Sequence, residues 1–110
     1  MHSPEVEQAI AMFLSALRKK YAVEEVRLYG SRARGDFHED SDVDLAVVLG
    51  GERGDKWKLA QDFADITFVV RGETGIDVSA FPFWKGDLDH PERAINPTFI
   101  TNIQRDGVPL

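Results

Sequence analysis

Asp42 and Asp44 stand two positions apart where a polar loop runs into the apolar run from Val43 to Leu49. Side chains alternate across an extended strand, so the two carboxylates share one face while Val43 and Leu45 point the other way. Two such charges repel unless a cation sits between them. Hard divalent cations such as Mg²⁺ take oxygen ligands, often one or two carboxylates plus substrate phosphates. Ten residues separate this pair from Gly30-Ser31. Glycine lets the backbone approach a ligand closely, and amides after it can face an anion, above all if a helix begins there. Ser31 adds a hydroxyl donor. Arg32 and Arg34 bring cations suited to phosphate; one is expected to meet it and the other to pair with Asp36, Glu39 or Asp40. Asp77 heads a further extended stretch, "GIDVSAF", opposite Ile76 and Val78. Acidic residues facing a phosphate cradle are the constellation of metal-assisted phosphoryl or nucleotidyl transfer. There one metal activates the attacking hydroxyl and a second steadies the leaving pyrophosphate.

The elements that must position these groups follow from periodicity. Ser3-Pro4 reads as an N-cap with proline at the first helical position. Val6, Ala9, Ile10, Phe13, Leu14 and Leu17 then recur at helical spacing. Alternation predicts strands near 24–29, 43–49 and 75–81. Asp55 is placed to cap a helix carrying Trp57, Ala60, Phe63, Ala64 and Thr67, with Trp57 expected in the core. Its end is ambiguous, since Ile66 to Val70 is β-branched and aromatic enough for a strand. Asn96-Pro97 starts a last helix through Phe99, Ile100 and Ile103, stopped by Asp106-Gly107. Phe81, Phe83 and Trp84 read as core or as a helix-docking surface, and Tyr29 as packing under the Gly-Ser turn.

Connection lengths decide whether the candidate residues meet. The dozen or so residues between the first two strands allow an antiparallel pair, which brings Gly30-Ser31 beside the start of the second strand. The longer, helix-containing link to the third strand allows a parallel crossover. Asp42, Asp44, Asp77 and the turn then converge at one rim of a mixed sheet.

Composition bounds the alternatives. The chain has 110 residues, room for a single domain over 1–110 with one core. No apolar run approaches a membrane span. An acidic N-terminus and the lack of cysteine suit a cytoplasmic protein. The net charge of −6 argues against bulk nucleic-acid binding, which rests on Lys and Arg neutralising phosphates. "GSRARGD" is not a P-loop, because Asp36 stands where the phosphate-binding lysine belongs. "DSDVDL" is not an EF-hand loop, since Leu45 occupies the turn-glycine position and Gly51 that of the bidentate glutamate. His2, His38 and His90 show no paired metal spacing; His38 lies in the acidic loop, near enough in sequence to touch substrate. An Asp-x-Asp at a strand mouth is, alone, more often a solvated strand end. It is the Gly-Ser pair at its distance, with Asp77, that makes it a candidate site.

"GSRARG…SDVDLAVVL" followed by "IDVS" resembles the nucleotidyltransferase superfamily of DNA polymerase β and kanamycin nucleotidyltransferase, and above all its minimal nucleotidyltransferase (MNT) domains. The resemblance covers most of the chain, including a tail similar to the closing helix of MNT domains. It implies an α+β nucleotidyltransferase fold, a small mixed sheet flanked by helices. It also implies that Asp42 and Asp44 bind two Mg²⁺ ions, that Asp77 completes the site or serves as base, and that Gly30 and Ser31 hold the phosphates of ATP. Larger relatives carry a further acceptor-recognising domain, for which this chain has no room. MNT domains are commonly paired with helical HEPN-domain proteins in toxin–antitoxin modules, where they neutralise the partner by adding AMP to a tyrosine. The other class left open is a non-catalytic protein of this fold that neutralises a partner by binding alone.

Overall fold

The computed structural model describes residues 3–38, 41–51, 54–90, 92 and 97–110. Helix α1 (Pro4–Arg18) starts where expected: the Ser3 hydroxyl accepts a hydrogen bond from the Val6 amide. All six apolar residues picked out by spacing are buried. Strand β1 (Val23–Tyr29) leads through the single-turn helix α2 (Ser31–Arg34) to β2 (Val43–Leu49). Helix α3 (Lys56–Thr74) crosses over to β3 (Val78–Trp84), and α4 (Lys85–Asp89), α5 (Pro97–Asp106) and the short β4 (Val108–Pro109) complete the chain.

The sheet runs β3-β2-β1-β4, with β1 antiparallel to β2 and to β4, and β2 parallel to β3. This is the mixed α+β sheet that the connection lengths allowed. β2 is buried on both faces. On one face α1 and α3 pack against Leu28, Leu45, Val47 and Leu49, with Phe13 and Phe63 meeting edge to face at 5.7 Å. On the other, Phe99 of α5 meets the rings of Tyr29, Phe81 and Phe83, while Ile100 and Ile103 are buried. Phe81 and Phe83 thus form the helix-docking surface, and Tyr29 belongs to it.

Two expectations need correction, and one open point is settled. Ile66 to Val70 is helical: Leu59, Phe63, Ile66 and Val70 all face inward at helical spacing, so packing overrides β-propensity until the left-handed Gly75 (φ 76°) ends α3. The third strand is shifted to Val78–Trp84, because pairing with β2 rather than local alternation sets its span. Trp57 is not core but 79% exposed, on the outward side of the first turn of α3. Asn96, the expected cap of the last helix, lies outside the described residues, as do His2, Glu39 and Asp40.

A polar tether fixes the segment that follows α1 against α3. Asp62, buried in the middle of α3, accepts hydrogen bonds from the Tyr21 hydroxyl at 2.6 Å, Lys58 at 3.3 Å and Lys20 at 3.4 Å. The Tyr21 hydroxyl in particular holds the Asp62 carboxyl below its usual range. Burial and that same carboxylate push Tyr21 up to about 12.

Candidate active site

The rim of the sheet where β1 ends and β2 and β3 begin gathers the residues picked out by spacing. Gly30 ends β1 at φ 73°, a left-handed conformation that side chains disfavour, and its carbonyl accepts from the Ala33 and Arg34 amides. A Cβ built at Gly30 would collide with the Asp44 carboxylate. The turn backbone therefore lies directly against the second carboxylate of the Asp-x-Asp pair. Ser31 opens α2 immediately beside it.

Asp44 is half-buried and Asp42 exposed. Burial, then the neighbouring charge of Asp42, push the Asp44 carboxyl above its ordinary value, while Arg34 pulls it back. Tyr29 pairs with Asp44 across β1 and β2, and burial together with this carboxylate raises its phenol. On the other side the register sets Ser79 opposite Asp44, and the Val43 amide donates to the Asp77 carbonyl at 2.9 Å. Asp77 thus stands level with Asp42 just ahead of β3. Its side chain, however, is exposed and pairs with Arg71 of α3 at 3.2 Å.

The two arginines divide. Arg32 is 7% exposed; its guanidinium donates to the Ser41 carbonyl at 2.9 and 3.2 Å and lies over the Phe37 ring at 4.8 Å. It ties α2 to the loop that delivers Asp42. Arg34 is exposed, pairs with Asp36 at 3.3 Å, and its charge reaches Asp44. His38 is exposed, in a loop closed by a bond from its amide to the Ser41 hydroxyl at 2.8 Å.

The donor chemistry fits a hard cation: two neighbouring carboxylates, one with its carboxyl pushed up by burial and then by the other's charge, beside a turn with no side chain in the way. Among the described residues no three His, Cys, Asp or Glu side chains are grouped to hold a metal, so Asp77 is not brought in with the pair. Sequence reasoning overlooked Arg71 and Ser79. Ser79 was legible as a face-mate of Asp77, but its position beside Asp44 needed the register. Arg71 reaches Asp77 only because Gly75 turns the chain back at the end of α3.

A family model described as a nucleotidyltransferase domain matches residues 10–103. Protein adenylyltransferase MntA of Thermococcus cleftensis is 40% identical over 43 residues, 39% of this chain and 43% of that protein. A Methanocaldococcus jannaschii protein with the provisional name protein adenylyltransferase is 46% identical over 44 residues, 38% of this chain and 44% of its own length. The chain thus spans less than half of either curated relative it matches. A solved structure provisionally described as a minimal nucleotidyltransferase aligns with a TM-score of 0.59 at 28% identity, over 96% of this chain and 95% of that one. A Sulfolobus solfataricus structure, provisionally called a nucleotidyltransferase, gives 0.58 at 22% over 99% and 87%, a likeness of fold alone. With the family model spanning most of its length, this chain belongs to the nucleotidyltransferase domain family.

Proposed function

We propose that this protein transfers AMP from ATP to a tyrosine hydroxyl of a helical HEPN-domain partner, as the antitoxin of a toxin–antitoxin module. The observation that carries the reading is the closeness of the Gly30 backbone to the Asp44 carboxylate, which supports a phosphate cradle beside a cation-binding pair. The names of the two curated relatives supply the adenylyl group and the protein target.

In this reading Gly30 and Ser31 hold the nucleotide phosphates and Arg34 offsets their charge. Asp42 and Asp44 hold two Mg²⁺ ions, which when bound supply charge neutralisation and hydroxyl activation. The tyrosine oxygen forms a bond to the α-phosphorus, the bond to the bridging oxygen of the β-phosphate breaks, and pyrophosphate leaves. The phenolic proton passes to Asp77 once its carboxylate is free of Arg71. Holding the hydroxyl in line contributes to the acceleration.

A second reading, inhibition of a partner by binding alone, is favoured by the Arg71–Asp77 pair, which keeps the third carboxylate engaged elsewhere. Incubation with α-labelled ATP, Mg²⁺ and the purified HEPN-domain protein separates the two. Transfer predicts label and an adenylate mass increment on the partner, lost in Asp42→Asn and Asp44→Asn. Stoichiometric inhibition of an unlabelled partner supports binding alone.

A further inference from the structure

We infer that the ring of Phe81 is the platform on which the nucleotide's base stacks, an inference that rests on the proposed use of ATP at this rim. Tyr29, Asp44 and Ser79 are level with one another across β1, β2 and β3, and so share one face of the sheet. Phe81 follows Ser79 by two positions, on that same face and about 7 Å further along the strand. Val78 and Ala80, level with Val43 and Leu45, point instead to the face covered by α1 and α3.

The ring is placed to receive a flat partner. Ala46, level with Phe81 on β2, carries only a methyl group, and Tyr29 and Phe81 approach to 6.4 Å across the intervening strand. Phe99 of α5 meets Phe81 at 5.6 Å. These contacts are inclined at 58° and 65°, so neither neighbour is stacked flat on Phe81. The residue stays 46% exposed although two rings brace it. A ring already held in place loses little side-chain freedom when a base stacks on it.

Order along the face selects the occupant. The Gly30-Ser31 turn ends β1, the Asp42–Asp44 pair opens β2, Ser79 lies beside Asp44 on β3, and Phe81 comes next. A nucleotide carries its groups in the same sequence: the outer phosphates, the α-phosphate that must reach the cations, the sugar, and the base. The acceptor tyrosine does not fit this order. Its ring is joined directly to the reacting oxygen, with no sugar-sized spacer to carry it past Ser79 to Phe81.

The test is calorimetric titration of the purified protein, in Mg²⁺, with two probes: ATP, and inorganic tripolyphosphate, which lacks the nucleoside. Phe81→Leu keeps an apolar side chain against Phe99 but removes the aromatic face. Phe83→Leu makes the same change in the same cluster, two positions further from Asp44 along β3. Expected in Phe81→Leu is an ATP affinity lowered about tenfold, the size of a lost base–aromatic stack, with tripolyphosphate affinity within twofold of wild type. Both affinities should stay within twofold in Phe83→Leu, and Phe81→Trp should bind ATP as well as wild type does. An ATP affinity within twofold of wild type in Phe81→Leu overturns the base platform while leaving the transfer reading intact. Equal losses of ATP and tripolyphosphate, or an equal loss of ATP in Phe83→Leu, overturn it too, since the effect then lies in the phosphates or the packing. A wild-type protein that binds neither probe overturns the nucleotide reading of the rim itself, and this inference with it.

Discussion

Gly30 has little latitude for substitution. It combines a left-handed backbone with a carboxylate where its Cβ would stand. Gly30→Val is expected to cost roughly 1–3 kcal/mol through backbone strain alone, and to abolish ATP binding by filling the cradle. Ser31→Ala should weaken binding only modestly. Urea titration and calorimetry measure the two effects, and equal ATP affinity in all three proteins would place the phosphates elsewhere. Asp44 carries a prediction of different sign. Its folded-state carboxyl is raised, so the ionised form opposes folding. That cost is absent below the ordinary carboxylate pKa of about 3.9 and complete once pH exceeds the raised folded value. Without metal, Asp44→Asn should therefore melt higher than wild type at pH 7, with the gain vanishing as pH falls below about 4. A lower melting temperature at neutral pH would falsify this account of the pair. That Gly30, Ser31, Asp42 and Asp44 meet at one rim was legible from sequence, because glycine chemistry and strand alternation act within a few residues.

At the scale of elements, legibility depended on how far a residue's fate was settled by its neighbours in sequence. α1 was readable throughout, because its apolar stripe and its cap are local. Arg32 and Arg34 were not separable, being alike in sequence and only two positions apart. Which one is buried is decided by the carbonyl of Ser41 and the ring of Phe37, brought in by the return of the loop. α3 misled for a related reason: its inward and outward sides are both apolar, so Trp57 looked like core. The division of the arginines is testable. Arg32→Ala leaves a carbonyl without its buried donor and should cost about 1–3 kcal/mol in urea unfolding. Arg34→Ala, at an exposed pair, should change stability by less than about 0.5 kcal/mol. It should nonetheless weaken ATP binding, which is the reverse of the Arg32 pattern. Matching effects of the two substitutions on both measurements would remove the distinction.

At the scale of the whole molecule, the chain is a thin body of 36 × 29 × 18 Å with its candidate site along one rim. No helix among the described residues is long and apolar enough to cross a membrane. The chain carries a formal net charge of −6. Neutralising phosphates along a duplex requires a basic face, and affinity of that kind falls steeply with salt. A fluorescently labelled DNA duplex should therefore show no polarisation change on titration, even at low ionic strength. Tight binding that weakens with added salt would contradict this reading of the charge.

The parallel pairing of β2 with β3 also imposes an order of assembly. Gly30, Ser31, Asp42 and Asp44 lie on one continuous stretch, and the antiparallel β1–β2 pair can bring them together as soon as Leu49 has left the ribosome. Asp77 comes only after the nineteen residues of α3 and the crossover that sets β3 beside β2. Such non-local closure is intrinsically slower than forming a neighbouring antiparallel pair. A nascent chain therefore acquires its cradle and paired carboxylates first. Asp77 joins them last.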